Sequence, residues 1–288
     1  MKDLEHHVMQ LVRTHRENSF ATQAVREDVL RLTARQLAET FRDLREPQHL
    51  KPKHITHAIQ RWQAEELSTG TIKNRVAQLR WLADKIGKQN ILPRDNAALG
   101  IERRVYVTNQ SKALVVPGDV LAQAKSDFVR ASLRLQAAFG LRRAESIKIQ
   151  PGWADLDDRL RLKGSWCKGG KPREVPIRTP EQRAALDAAK RVAGGASLIP
   201  QERMYVTQLS TWQREVSALG LSKTHGLRHA YAQERYREIT GWACPAAGGP
   251  TSKQLDSAQR DHDQLARLQI SRELGHEREQ ITAVYLGR

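Results

Sequence analysis

His276 and Tyr285 stand nine residues apart near the end of the chain, with Leu274 and Gly275 just before the histidine and three residues after the tyrosine. Three further polar clusters precede them: Gly140-Leu141-Arg142-Arg143-Ala144-Glu145, Lys168-Gly169-Gly170-Lys171-Pro172-Arg173 and His225-Gly226-Leu227-Arg228-His229. Two arginines, a lysine, two histidines and a tyrosine are the parts needed to break a phosphodiester through a phosphotyrosine link.

A phosphodiester under attack gathers negative charge on its non-bridging oxygens. Guanidinium groups suit that charge because they are planar, permanently cationic and able to bond two oxygens at once, which makes Arg142 and Arg228 the candidates. An isolated Arg142 would ordinarily pair with Glu145, three residues on, and an isolated Arg228 would be a solvated helix residue. Tyr285 is the candidate nucleophile, since attack by a phenol leaves a covalent intermediate that conserves the energy of the bond. Tyr106, Tyr205, Tyr231 and Tyr236 compete with it, and only the distance from His276 singles it out. His225 is the candidate base. Lys168 is the candidate acid for the leaving 5′-oxygen, an alkoxide that departs poorly without a proton; Lys163 and Lys171 are its rivals, and a lysine in a glycine-rich turn is usually only solvated. His276 would donate to the phosphate as part of an oxyanion hole, its ordinary alternative being a helix cap.

The elements that must position these residues fall into two regions of a 288-residue chain, a length suited to two domains. From residue 1 to 107 apolar residues recur at helical spacing in four stripes: Leu4, Val8, Leu11 and Val12; Ala24, Val29, Leu30, Leu37 and Phe41; Ile55, Ile59 and Trp62; and Ile72, Val76, Leu79, Leu82 and Ile86. Pro47, Lys51 and Pro52 punctuate the series, Ser68-Thr69-Gly70-Thr71 caps the fourth helix and Gly87 ends it. Between Ile91 and Val116 the pattern dissolves, and a linker is expected at 108–116. From Val120 to Gly140 helical periodicity returns. Leu160-Arg161-Leu162-Lys163 and Glu174-Val175-Pro176-Ile177 read as the strands of a hairpin. The remainder to Tyr285 is helical except for 241–257, a loop by composition.

With 48 basic and 32 acidic residues the net charge is +16 and the isoelectric point about 10.2. This favours a polyanionic partner, because each phosphate neutralised releases counterions. Charge alone does not choose between DNA, RNA and an anionic membrane. Lys73, Arg75 and Arg80 on the fourth helix, Arg103 and Arg104 in the linker region, and Lys171 and Arg173 in the hairpin are the candidates to contact the partner's phosphates, which the resemblance below makes those of DNA; a solvated basic face is the alternative. A mean hydropathy of −0.62 and the lack of an 18-residue apolar run speak against a membrane span, and the N-terminal residues lack the apolar stretch of a signal peptide. A cytoplasmic, nucleoid-associated protein is expected. Cys167 and Cys244 are far apart and read as free thiols. No metal site is expected: His225 and His229 have helical spacing, but Gly226 stands where a zinc-protease helix needs glutamate.

Taken together, the box Gly-Leu-Arg-x-x-Glu, the hairpin Lys-Gly-x-Lys-x-Arg-x-Val-Pro, the box His-x-Leu-Arg-His and the final Leu-Gly-His with tyrosine nine residues on resemble the tyrosine recombinases of the phage-integrase and Xer type. The resemblance implies catalytic roles for Arg142, Lys168, His225, Arg228, His276 and Tyr285, with Glu145 in support. It also implies a mainly α fold, a two-domain clamp with an all-α core-binding domain at 1–107 and a mostly helical catalytic domain with a small hairpin at 117–288. It implies no cofactor, double-stranded DNA as partner, a homotetramer in the synaptic complex and a possible directionality factor. Two features depart from the family pattern: the long stretch from Arg228 to His276, and the end at Arg288, where many relatives continue into a helix that docks on a neighbouring protomer. An integrase of a mobile element is the leading expectation. A Xer-type resolvase shares the same residues, a type IB topoisomerase uses similar ones although the hairpin and the Leu-Gly-His box look more like those of the recombinases, and a catalytically silent DNA-binding protein would have no need of Tyr285.

Overall fold

The computed structural model describes residues 3–276 and 278–288; Glu277, in the last polar box, lies outside them. Among the described residues there are thirteen α-helices and one two-stranded antiparallel sheet, so the architecture is mainly α. None of these helices is long and apolar enough to cross a membrane. The chain divides into two compact units after Val105.

The first unit holds α1 (Asp3–Thr14), α2 (Phe20–Thr40), α3 (Pro52–Ala64) and α4 (Thr69–Lys85). Its core is built from the expected stripes: Leu4, Val8 and Val12, then Leu30 and Leu37, then Ile55, Ile59 and Trp62, then Ile72, Val76, Leu79 and Leu82. Ser68 caps α4 by accepting from the Thr71 N–H at 3.2 Å, Pro52 opens α3, and Gly87 takes the left-handed conformation that ends α4. The stripe on α2 fails in its first half, where Ala24 is exposed and Arg26 is buried. The Arg26 guanidinium lies 4.1 Å from the centre of the Trp81 ring and donates to Gln78, so a cation over an indole fills the place expected of a hydrophobe.

The second unit begins with a stretch through Val116 that is neither helix nor strand and then holds α5 (Gly118–Ala122), α6 (Asp127–Phe139), α7 (Arg143–Lys148) and α8 (Pro151–Ala154). The hairpin of β1 (Arg159–Leu162) and β2 (Arg173–Pro176) follows, then α9 (Pro180–Ala193), α10 (Tyr205–Ala218), α11 (His225–Thr240), α12 (Ser257–Glu273) and α13 (Glu279–Leu286). The periodicity from Val120 to Gly140 is split into two helices, because the Ser126 N–H turns away to the Glu215 carboxylate at 3.0 Å and α6 starts afresh. In the hairpin Leu160 pairs with Val175 and Leu162 with Arg173. The inward residues Leu160, Leu162 and Val175 join Leu135, Phe139, Leu186, Tyr236, Ile270 and Leu286 in the main core.

The long connection between α11 and α12 is a loop, as its composition indicates, but a packed one. Cys244, Pro245 and Ala246 are buried, and a β-carbon on Gly249 would lie 1.6 Å from the Ala243 carbonyl oxygen. Gly226, inside the His-x-Leu-Arg-His box, answers to a similar constraint: the chain at 112–114 crosses it, with the Leu114 N–H donating to its carbonyl at 2.9 Å and a Cβ there meeting Leu114 Cβ at 2.6 Å. Gly226→Ala should therefore destabilise the second unit by about 1–3 kcal/mol, the usual cost of overpacking. Urea unfolding followed by tryptophan fluorescence checks this, and an unchanged midpoint would contradict it.

Candidate active site

The break after α6 shapes the first part of the site. Gly140 ends α6 at φ +60°, and a β-carbon there would meet Tyr231 Cδ1 at 2.6 Å, so both conformation and space call for glycine. The chain then turns into α7 with Arg142 as the residue before its first turn. Glu145, one turn in, accepts from the Arg142 N–H and from Arg142 Nη1, both at 2.7 Å. The ordinary salt bridge is thus present, yet it leaves Arg142 on the wall of a cleft of about 610 Å³ shared with Lys168 and His225.

Glu145 is fully buried. Its second partner is Arg173, the first residue of β2, whose Nη1 and Nη2 donate to the two carboxylate oxygens at 2.8 and 2.7 Å. Burial would raise the pKa of Glu145. The hydrogen bonds and charge of Arg173, joined by the charges of Arg142 and Arg228, overcome that and hold it at about 2. Arg173 also donates from Nε to the Glu273 carbonyl at 2.9 Å. The expectation that Arg173 contacts DNA is therefore corrected: its guanidinium is buried and committed to Glu145 and to the end of α12.

The rear of the site is made by α11, α13 and the end of α12. Arg228 is 1 % exposed, not the solvated residue it would be in isolation. Its Nη1 donates to the Gly140 carbonyl at 2.6 Å and its Nη2 to the Leu274 carbonyl, so one side chain serves carbonyls at the ends of two helices. Burial, with the charges of Arg142 and Arg173, lowers its pKa to about 10 despite the opposing effect of Tyr285, so it stays protonated at neutral pH. Its Nε lies 3.3 Å from the Tyr285 hydroxyl. The same hydroxyl is 3.3 Å from His225 Nε2 and 3.5 Å from His276 Nε2, and Arg228 Nη2 is 3.4 Å from His276 Nε2. Burial first and the neighbouring arginine charges second push both imidazoles down, His276 to about 3. Both rings are neutral at pH 7, so each can accept a proton on one nitrogen.

The structure thus gathers Arg228, His225, His276 and Tyr285 around one hydroxyl and places Arg142 and Lys168 with His225 on one cleft. Lys168 lies exposed in a 3₁₀ turn of the hairpin connection. The competing tyrosines stand elsewhere: Tyr231 donates to Glu273 at 2.7 Å, Tyr236 donates to Asp263, and Tyr106 is exposed. His229 and Gln233 are neighbours of the site that the sequence does not single out, and Arg173 belongs to it in another role than the expected one. His229, one turn beyond His225, packs its ring 4.6 Å from that of Tyr285; Gln233 donates to the Tyr285 carbonyl at 3.0 Å; and Arg173 binds Glu145. The helical spacing of 225, 229 and 233, and the period-two alternation that turns Arg173 inward with Val175, are the signals that point to them.

Of the other basic residues, Lys73, Arg75 and Arg80 lie half-exposed on α4 and Arg103, Arg104 and Lys171 are exposed. The Arg75 guanidinium lies 5.2 Å from the Trp62 ring centre, and Arg80 donates to the Pro93 carbonyl and to Asn96.

A family model described as phage integrase, N-terminal, matches residues 1–92, and one described as integrase matches residues 104–234. The chain belongs to the tyrosine recombinase family. No curated protein matches this chain in sequence. Among solved structures, a lambda integrase dimer bound to a COC′ core site superposes at a TM-score of 0.64 with 15% identity, over 99% of this chain and 78% of that one. The XerH site-specific recombinase in a post-cleavage complex with palindromic difH substrate gives 0.63 and 14%, over 99% and 81%. The integrase of transposon Tn1549 in complex with circular intermediate DNA gives 0.57 and 13%, over 99% and 95%. At these identities the structural likeness shows the fold.

The lowered pKa values of these groups bear on the acid stability of the protein. An imidazole held below its unfolded value of about 6.5 binds its proton more readily in the unfolded chain, so its contribution is complete above that value and is lost as pH falls through the window down to the folded pKa. For His276 this window runs down to about 3 and for His229, lowered chiefly by burial, to about 4. Glu145 follows, its contribution lost between about 4.5 and about 2. Stability should decline below about pH 6.5, and His276→Gln should make the decline between pH 6.5 and 5 shallower in urea titrations; an unchanged slope would contradict the assignment.

Proposed function

We propose that this tyrosine recombinase is a site-specific DNA recombinase, the integrase of a mobile element, which cleaves and rejoins strands through a 3′-phosphotyrosine at Tyr285. The observation that carries the proposal is the convergence of Arg228, His225 and His276 on the Tyr285 hydroxyl within 3.3 to 3.5 Å. A protein that only binds DNA needs basic groups but has no use for a phenol so placed.

In the proposed reaction Arg142 and Arg228 hold the non-bridging oxygens, and the Tyr285 oxygen attacks phosphorus while its proton passes to His225. Arg228 Nε, facing that hydroxyl, steadies the charge as the proton leaves. His276 donates to a non-bridging oxygen. Lys168 protonates the departing 5′-oxygen, and the same groups run in reverse when the 5′-hydroxyl of another strand attacks the phosphotyrosine. The residues up to 107 would form the core-binding domain and residues 117–288 the catalytic domain, with 108–116 between them. Lys73, Arg75, Arg80, Arg103, Arg104 and Lys171 would meet DNA phosphates. The working form would be a homotetramer on two DNA sites, open to control by a directionality factor.

Tyr285→Phe should abolish covalent capture on a nicked suicide substrate while leaving DNA affinity unchanged, since it removes one hydroxyl and no charge. A persisting adduct would move the nucleophile to another tyrosine. Arg142→Lys and Arg228→Lys should each slow single-turnover cleavage by on the order of 10²–10³, because an ammonium cannot reproduce two parallel donors. Cleavage should persist in excess chelator, because guanidinium groups supply the charge that a metal ion would otherwise provide; full dependence on magnesium would count against the mechanism.

A further inference from the structure

Lys168 stands in the connection between β1 and β2, and that connection is closed on itself. The Trp166 N–H donates to the Lys163 carbonyl at 3.0 Å, the Cys167 N–H to the Gly164 carbonyl at 2.9 Å, and the Gly170 N–H to the Cys167 carbonyl at 3.2 Å. The two ends of this loop touch: a β-carbon on Gly164 would lie 2.3 Å from the Gly170 carbonyl oxygen. A loop so tied moves as a unit, so whatever holds one of its residues determines where Lys168 can reach.

The residue that is held is Trp166. It is 8 % exposed and meets Trp153 of α8 edge to face, the ring centres 5.5 Å apart at 83°. Lys163 completes the arrangement, its ammonium 4.3 Å from the Trp153 ring centre and 5.2 Å from that of Trp166 while donating to Gln150 at 2.7 Å. Arg161 covers Trp153 at 3.8 Å. Two cations against two indoles, with one ammonium also hydrogen-bonded, form a packed contact in which Trp166 is buried while Trp153 remains 38 % exposed.

We propose that Trp153, Lys163 and Trp166 are an anchor that sets the position of Lys168 in the cleft before DNA arrives. They are positioning residues and touch no reacting atom. Lys163 acts here through its contacts with the indoles and Gln150 and not through a phosphate. The inference rests on the reading of Lys168 as the general acid, and preorganisation of that group is what the anchor would supply.

The test compares single-turnover cleavage of suicide substrates whose scissile 5′ bridging atom is oxygen or sulfur. A thiolate leaves without a proton, so only defects in delivering the acid are rescued by sulfur. Trp166→Leu and Lys163→Met, with Trp166→Phe as the conservative control and thermal melts to confirm folding, are measured beside Lys168→Ala. Lys163→Met keeps the apolar stem and covers the case in which Trp166→Leu fails to fold. The expected result is a loss on the order of 10-fold on the oxygen substrate, part of what a positioned acid contributes, with near-complete rescue by sulfur, unchanged DNA affinity and most activity retained in Trp166→Phe. Rescue of Lys168→Ala but equal losses of Trp166→Leu and Lys163→Met on both substrates would overturn the anchor alone. A Lys163→Met variant that binds DNA less tightly, with a salt dependence reduced by about one unit, would overturn it in favour of a phosphate contact. Failure of sulfur to rescue Lys168→Ala would remove the acid reading and the proposal together.

Discussion

A carboxylate with no access to water must be matched by positive charge and hydrogen bonds or it will not stay ionised. Glu145 meets that condition with Arg142 from the residue before its own helix and Arg173 from the hairpin. Around it the structure buries or half-buries three guanidinium groups against one carboxylate, counting Arg228. The local excess of positive charge is what, after burial itself, keeps His225 and His276 neutral. A phosphodiester, with its one negative charge, would neutralise part of it on entering. A single buried anion thus fixes where Arg142 and the hairpin meet, while leaving the site with a net excess of positive charge.

Arg228 carries the second constraint. Helices end with carbonyls that have no partner within the helix, and Arg228 takes one beyond α6 and one beyond α12 while presenting its third edge to Tyr285. The long segment between Arg228 and His276 is then intelligible as structure. It builds α12, whose last turn supplies the Glu273 carbonyl to Arg173 and the Leu274 carbonyl to Arg228, and a packed loop whose Pro245 and Ala246 lie against Gly287 just after the tyrosine. The residues of this segment support α13, which carries Tyr285, from behind.

What could be read from the sequence follows from where each signal lives. The helical stripes of residues 1–107 and the alternating apolar residues of the hairpin are local patterns, and they mark the elements well. Arg26 defeated the stripe on α2 because an indole from α4 offered its guanidinium a buried face, which no periodicity reveals. The polar boxes gave the candidates for the site, but each residue alone had an ordinary explanation, and Arg142 does form the ordinary salt bridge with Glu145. Arg173 was assigned by its charge to the surface and belongs by its strand position to the interior. Lys163 and Lys168 are alike in the sequence, five residues apart on one hairpin; only the packing of Trp153 and Trp166 distinguishes a bound ammonium from an exposed one.

The central claim is that Tyr285 is the nucleophile, and it is tested most directly by locating the phosphate after cleavage. A suicide substrate can be trapped on the native protein, the DNA trimmed with nuclease and the protein digested with trypsin for sequencing by mass spectrometry. The account predicts a nucleotide 3′-phosphate on Tyr285, in the peptide that runs from Glu279 to Arg288. A nucleotide on Tyr106, Tyr205, Tyr231 or Tyr236, or a 5′-phosphate linkage, would contradict it.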